Sequence, residues 1–230
     1  RIPGVSVRYV TRAAELKQPD LILLPGSKNT MDDLKWMRQN GLEAAIKQYA
    51  AAGKPVFGIC GGYQMMGLTL SDPAHVEAGG AMDGMGLLPV HTTFCADKTT
   101  TQVHGAIGHL TGMFAALTGV HIDGYEIHMG ETTYEPEADN FSEIQRGTRP
   151  VVDGAQCGSC YGTYVHGVFD REDVSRTLVT ALLESKGLSA HDVQTFDAET
   201  YKQQQYDLLA DAVREALDMD AIYRILNREV

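Results

Sequence analysis

No apolar stretch in the sequence approaches the roughly 20 residues that a bilayer-crossing helix needs, so a helical membrane anchor is excluded within it. Lysine and arginine form no cluster, and the net charge is −11. Nucleic acid and anionic membrane are therefore excluded as expected partners. Cysteine is sparse: Cys60, Cys95, Cys157 and Cys160 are too few for a disulfide framework, and a cytoplasmic location is expected from that alone. Cys157-Gly158-Ser159-Cys160 has the spacing of half a zinc site, but no second pair or suitably placed histidine accompanies it, so no metal is expected. Gly26-Ser27-Lys28 has part of the look of a phosphate loop, yet the G-x-x-x-x-G-K-[ST] frame is missing throughout. There is no internal repeat and no low-complexity tract. Arg1, Ile2, Pro3 and Gly4 carry neither a start methionine nor a signal-peptide pattern, and the expectation is a piece of a longer protein.

What is present is enough for one sizeable core: 230 residues, 43% of them hydrophobic, read as a single domain over residues 1–230. Val5, Val7 and Tyr9 alternate with Ser6 and Arg8, the pattern of a half-buried strand. Leu21-Ile22-Leu23-Leu24, ended by Pro25-Gly26, predicts a buried parallel strand. Thr30 with Asp33 predicts a helix start, and Leu34, Met37, Leu42, Ala45, Ile46 and Tyr49 continue at helical spacing to about Ala52, with a break at Gly41. Val56-Phe57-Gly58-Ile59 is a second apolar strand, followed by a helical pattern from Tyr63 to Leu68. Strand, helix, strand, helix makes an α/β sheet. Between Gly79 and about Arg149 the chain is rich in Gly and Thr, and Thr99–Val103 and Tyr125–Met129 predict antiparallel or edge strands. Tyr161–Val165 is a further strand. Val174, Leu178, Ala181 and Leu182 mark one helix, and Tyr206, Leu209, Val213, Ala216 and Leu217 another.

The chemistry concentrates in Val56-Phe57-Gly58-Ile59-Cys60-Gly61-Gly62-Tyr63-Gln64, where a thiol stands between a strand and a helix start in a glycine frame. Such a nucleophile elbow holds its side chain up at the carboxyl end of the sheet and needs small neighbours at positions 58 and 62. A helix terminus beneath it offers free N–H groups, which favour a thiolate and a developing oxyanion. A lone cysteine is more often simply buried. The glycine frame tips the reading to a nucleophile. A thiol nucleophile needs a base, and Gly162-Thr163-Tyr164-Val165-His166-Gly167 ends an apolar strand on a histidine that can face Cys60.

Four blocks then carry a resemblance: Leu23-Leu24-Pro25-Gly26-Ser27-Lys28-Asn29-Thr30, Gly58–Met65, Gly124-Tyr125-Glu126-Ile127-His128-Met129-Gly130, and Gly162–Gly167. In this order they resemble the glutamine amidotransferase domains of cobyric acid synthases, with similarity from Val5 to about Leu226. The resemblance implies a class I glutamine amidotransferase-like α/β fold, a central mostly parallel sheet flanked by helices, at the carboxyl end of a larger enzyme. It implies a Cys60 thioester with glutamine, proton relay by His166, oxyanion contacts from the amides of Gly26 and Gly61, and glutamine held by Gln64 and the His128–Gly130 stretch. It implies no cofactor in this domain; ATP and Mg belong to an upstream synthetase domain that amidates adenosylcobyrinic acid a,c-diamide to cobyric acid. The acid that related glutaminases carry two residues after the histidine is replaced here by Val168, which leaves a Cys-His dyad. Asp170 is read as a helix cap ahead of Arg171-Glu172-Asp173, with orientation of the imidazole as its other role. For Tyr125, Glu126 and His128 a plain strand with hydrogen-bonded polar side chains stands as the alternative. Other acceptors remain open, those of a cobyrinic acid a,c-diamide synthase or of a cell-wall precursor amidating enzyme. So do two readings of another kind, a non-catalytic docking module and a free-standing thiol hydrolase of γ-glutamyl bonds.

Overall fold

A computed structural model describes residue 2, residues 4–189 and residues 198–228; Arg1 and Pro3 lie outside the described residues. The chain divides into two compact units, Arg1–Gln194 and Thr195–Val230.

In the first unit, β1 (Ile22–Leu24), β2 (Val56–Ile59), β11 (Ala155–Cys157) and β12 (Cys160–Thr163) form the central sheet in the order β1-β2-β12-β11. The pairs β1–β2 and β12–β2 are parallel, whereas the β11–β12 hairpin is antiparallel. Neighbouring positions on these strands serve opposite cores. Val56 and Cys160 join a cluster with Leu34, Ile46 and Met66, while Phe57 and Tyr161 join one with Phe114, Phe141 and Leu178. Burial on both faces is why the strands read as continuous apolar runs. Helices α1 (Ala13–Leu16), α2 (Thr30–Gln39), α3 (Leu42–Ala51) and α4 (Gly61–Met66) feed the first cluster, and α5 (Glu172–Glu184) with a short 3-10 helix (Gly112–Leu117) feeds the second. Gly41 sits at φ 80° between α2 and α3, the predicted break.

The middle of the chain builds two further sheets. One is antiparallel: β10 (Arg149–Asp153), β9 (Ser142–Arg146), β6 (Thr99–Ile107) and β7 (His121–His128). The other orders β4 (Gly80–Asp83), β3 (Thr69–Asp72), β5 (Val90–Thr93) and β8 (Glu131–Tyr134), with only β3–β5 parallel. The second unit consists of α6 (Ala198–Ala216) and α7 (Met219–Leu226). Tyr206, Leu209 and Val213 lie on α6 as expected, each exposed. No helix among the described residues is long and apolar enough to cross a membrane.

Three local expectations need correction. Residues Val5–Tyr9 form no strand; Tyr9 is 96% exposed, and alternation without a pairing neighbour leaves backbone groups to water. The start of α2 is capped one residue earlier than expected: Asn29 accepts from the Asp32 N–H, which frees Thr30 for another bond. The helix expected over Tyr63–Leu68 runs Gly61–Met66 instead, because the Leu68 N–H is drawn to the Val90 carbonyl at 2.7 Å.

Candidate active site

Cys60 follows β2 at φ 51°, a left-handed conformation that an L residue adopts only when its surroundings impose it. Backbone packing imposes it here. A Cβ on Gly62 would stand 2.1 Å from the Leu24 carbonyl oxygen, and one on Gly58 would stand 2.7 Å from the Tyr63 nitrogen. The elbow can make its turn only because both positions are bare.

His166 reaches the same place from β12, the parallel strand beside β2. Beyond β12 the chain pairs with β7: the His166 N–H donates to the Tyr125 carbonyl at 2.8 Å, and the Tyr125 N–H returns the bond at 3.1 Å. This closure requires Gly124, since a Cβ there would lie 2.1 Å from the His166 carbonyl oxygen. The imidazole stacks on the Tyr125 ring, with centroids 5.1 Å apart and planes 4° from parallel. Gly26, after β1, marks the meeting point: a Cβ on it would be 3.4 Å from His166 Cε1 and 3.7 Å from Cys60 Cβ. Three loops at the carboxyl ends of three parallel strands thus bring Gly26, Cys60 and His166 together, with Gly61 packed against the Ser27 amide.

The electrostatics make this a neutral pair. Burial pushes the Cys60 thiol up to about 11; the Gly61 N–H opposes the rise, and the charges of Glu77 and Glu126 add to it. The helix-terminal amide of Gly61 thus acts in the expected direction, but desolvation outweighs it. His166 is held below the ordinary histidine value by burial and by nearby His128, against a hydrogen bond with the Ile127 carbonyl. That carbonyl also accepts from Cys60 Sγ at 3.6 Å. A backbone oxygen thus touches both partners. Asp170 does not orient the ring; its N–H donates to the Gly167 carbonyl and its carboxylate turns toward Gly167. Nor does it cap α5, whose N-cap is Arg171 without a side-chain bond.

Gln64 lies one turn beyond Cys60 and is buried; its Oε1 accepts from Thr30 Oγ1 at 3.2 Å and its Nε2 donates to Tyr164 Oη at 3.1 Å. His128 is also buried, stacked on Tyr164 with centroids 3.9 Å apart, its Nδ1 donating to the Gly130 carbonyl and its Nε2 3.6 Å from Glu126. Glu126 is fully buried and bidentate with Arg146, at 2.6 and 2.7 Å. Burial works against its charge, but the neighbouring His128 ring and the bonds from Arg146 hold its carboxyl below the usual range. Cys157 and Cys160 face each other across the β11–β12 turn, outside this cluster. Three residues that sequence reasoning passed over also matter. Asp153, completely buried, accepts from Ser142 Oγ, Thr163 Oγ1 and the Tyr164 N–H, and so fastens the strand leading to His166. Arg146 is the second, through Glu126. Glu77 is the third, through its bond to the start of α2. No short motif marks any of them.

An elbow thiol, a histidine after a neighbouring parallel strand and a glycine loop between them define a class I glutamine amidotransferase fold. Two solved structures share it: a glutamine amidotransferase (TM-score 0.51, 15% identity, 80% of this chain and 88% of that one) and PurLQS from Thermotoga maritima (TM-score 0.54, 16% identity, 74% and 82%). More narrowly, residues 1–174 match the CobB/CobQ-like glutamine amidotransferase domain, and the chain belongs to that family. Curated relatives include the cobyric acid synthases of Ruminiclostridium cellulolyticum, 52% identical over 235 residues, and Lachnoclostridium phytofermentans, 45% identical over 240 residues. Each alignment covers 100% of this chain but only 45% and 47% of the relative, so the chain spans about half of their length.

Proposed function

We propose that this chain, over residues 1–230, is the glutaminase domain of a cobyric acid synthase. In this reading it hydrolyses L-glutamine in the cytoplasm and supplies ammonia for ATP-dependent amidation of adenosylcobyrinic acid a,c-diamide. The carrying observation is the convergence of Cys60 and His166 on Gly26. Similarity to cobyric acid synthases of about twice this length supports a synthetase domain elsewhere in the same polypeptide.

The neutral pair sets the order of events. Neutral His166 takes the thiol proton as Cys60 Sγ attacks the substrate Cδ, so no thiolate has to stand free beforehand. Charge then develops on the amide oxygen, to be met by the N–H groups of the Gly26 and Gly61 loops. When the C–N bond breaks, the imidazolium returns its proton to the nitrogen and ammonia leaves. Water, deprotonated by His166, attacks the thioester, and glutamate is released with the thiol restored. Nucleotide chemistry is assigned to the synthetase domain with its Mg. The Gly26–Ser27 loop is unsuited to cradle a phosphate, because its Ser27 amide is packed against Gly61, where a Cβ would stand at 2.6 Å.

The test is Cys60→Ser in the full-length protein. Glutamine-dependent amidation and labelling by a glutamine-analogue electrophile should vanish, while amidation from added ammonia persists. Undiminished labelling would remove Cys60 from the mechanism.

A further inference from the structure

The two helices of the second unit have no core of their own. Tyr206, Leu209, Val213 and Leu217 recur at helical spacing along α6 and just past its end, forming one apolar stripe, and Tyr223 with Leu226 forms another on α7. All six are exposed, Leu209 at 62% and Leu226 at 70%, and among the described residues from 200 to 228 none is buried. The eight residues of α7 fall short of the roughly 12 at which an isolated helix becomes even marginal in water. Its start is nonetheless defined, since Asp218 accepts from the Ala221 N–H at 3.0 Å. Packing against another surface has to hold it. On α6 the opposite face carries Asp207, Asp211 and Glu215 one turn apart, with Asp211 paired to Arg214 at 2.8 Å and Asp207 accepting from Gln203 at 3.2 Å. An acidic face of this kind is repelled by anionic lipid, which takes up helices with lysine and arginine there. Apolar stripes with their charges already paired fit an apolar groove on protein. The family match ends at residue 174, before α6, so a glutaminase domain is recognisable without these helices. The alignments with cobyric acid synthases, by contrast, run through both helices yet cover only 45% and 47% of those polypeptides. The helices thus go with a second half.

We propose that α6 and α7 dock their apolar stripes into a groove on the synthetase half of the polypeptide and fasten that half to the glutaminase domain. The assignment rests on the reading that a synthetase domain is present. Docking buries the stripes that the helices cannot bury against each other, and it leaves the acidic face of α6 in water. A synthetase held in this way receives ammonia before the solvent dilutes it.

The experiment places the photo-crosslinking residue p-benzoylphenylalanine at Tyr206 or at Tyr223 in the full-length protein and maps the peptide that each ring joins on illumination. Crosslinks should fall within the synthetase half of the same molecule. Crosslinks confined to residues 1–189 or to a second copy would overturn the assignment, as would their absence at both positions. A double variant, Leu209→Glu with Val213→Glu, keeps good helix formers on α6 while charging the stripe. Glutamine hydrolysis should hold steady, whereas amide formed per glutamine consumed should fall about tenfold or more. An unchanged yield would also overturn the docking. Wild type that amidates from neither glutamine nor added ammonia would instead remove the synthetase reading, and the assignment with it.

Discussion

The two halves of the candidate site are held in place by different physics. On the nucleophile side, Cys60 is fixed by backbone packing: bare α-carbons at Gly58 and Gly62 admit the β1 and α4 backbones, and little adjustment is available. On the base side, His166 is fixed by hydrogen bonds that converge from afar, the β7 bridge at Tyr125 and the Asp153 bonds to Thr163 and Tyr164. Steric fixing fails all at once, whereas hydrogen-bonded fixing fails by degrees. The nucleophile side should therefore tolerate almost nothing, and the base side should loosen progressively.

The largest effect tests the steric side. Gly62→Ala puts a methyl 2.1 Å from the Leu24 carbonyl oxygen, where only a backbone shift can make room. A loss of about 3 kcal/mol or more is expected, read as a large drop in melting temperature or as insoluble protein. Gly26→Ala is its counterpart, because that methyl makes only contacts of 3.4 and 3.7 Å with His166 and Cys60. Melting temperature should hold while turnover falls. Equal thermal stability of the Gly62 variant and wild type would break the comparison.

Next in size is His166→Ala, which removes the proposed base and leaves the elbow intact. Glutamine turnover should fall about 10²–10⁴-fold, exogenous imidazole should recover part of it, and stoichiometric alkylation of Cys60 should survive. Near wild-type turnover would mean a different base, and His128 would be the first to test.

The same contrast explains what the sequence made legible. The elbow was readable because its cause is local: Gly58, Gly61 and Gly62 lie within a few residues of Cys60, and strand-then-helix periodicity surrounds them. The mostly parallel central sheet followed from the same apolar runs. His166 could be picked out only by pairing it with Cys60, since the bonds that aim it come from Tyr125, Ile127 and Asp153, distant in the chain. Glu77 and Asp153 were invisible, being single acids whose burial is decided by loops from other sheets. Val5–Tyr9 shows the converse. Its alternation was real, but a strand needs a neighbour, and pairing is a tertiary fact. The cap of α2 slipped by one residue because Asn29 and Thr30 are both good caps, and Thr30 was claimed by Gln64.

A change of pH perturbs both halves without altering a residue. With the thiol near 11, about 10⁻⁴ of Cys60 is ionised at pH 7. His166, lowered from 6.5, is neutral there and accepts a proton only below that value. Alkylation by iodoacetamide should thus rise about tenfold per pH unit through neutrality. Glutamine turnover should lose activity on the acid side only below about 6.5. A thiolate–imidazolium pair would give the opposite signature, an alkylation rate already flat at neutral pH.

The smallest effect belongs to the most remote of the bonds that aim His166. Asp153 is completely buried, and burial raises its carboxyl above the usual range despite the bonds from Thr163, Tyr164 and Ser142. Asp153→Asn keeps the shape and one accepting oxygen but offers an N–H₂ where an acceptor stood. The hydroxyls of Ser142 and Thr163 can rotate to meet it; the Tyr164 N–H cannot. Stability should fall by about 1–3 kcal/mol, and kcat should decline well short of the His166→Ala loss, with KM for glutamine nearly unchanged. That split separates alignment of the base from binding of substrate. A rise in KM with kcat preserved would place Asp153 on the substrate side and leave the β7 bridge as the chief support of His166.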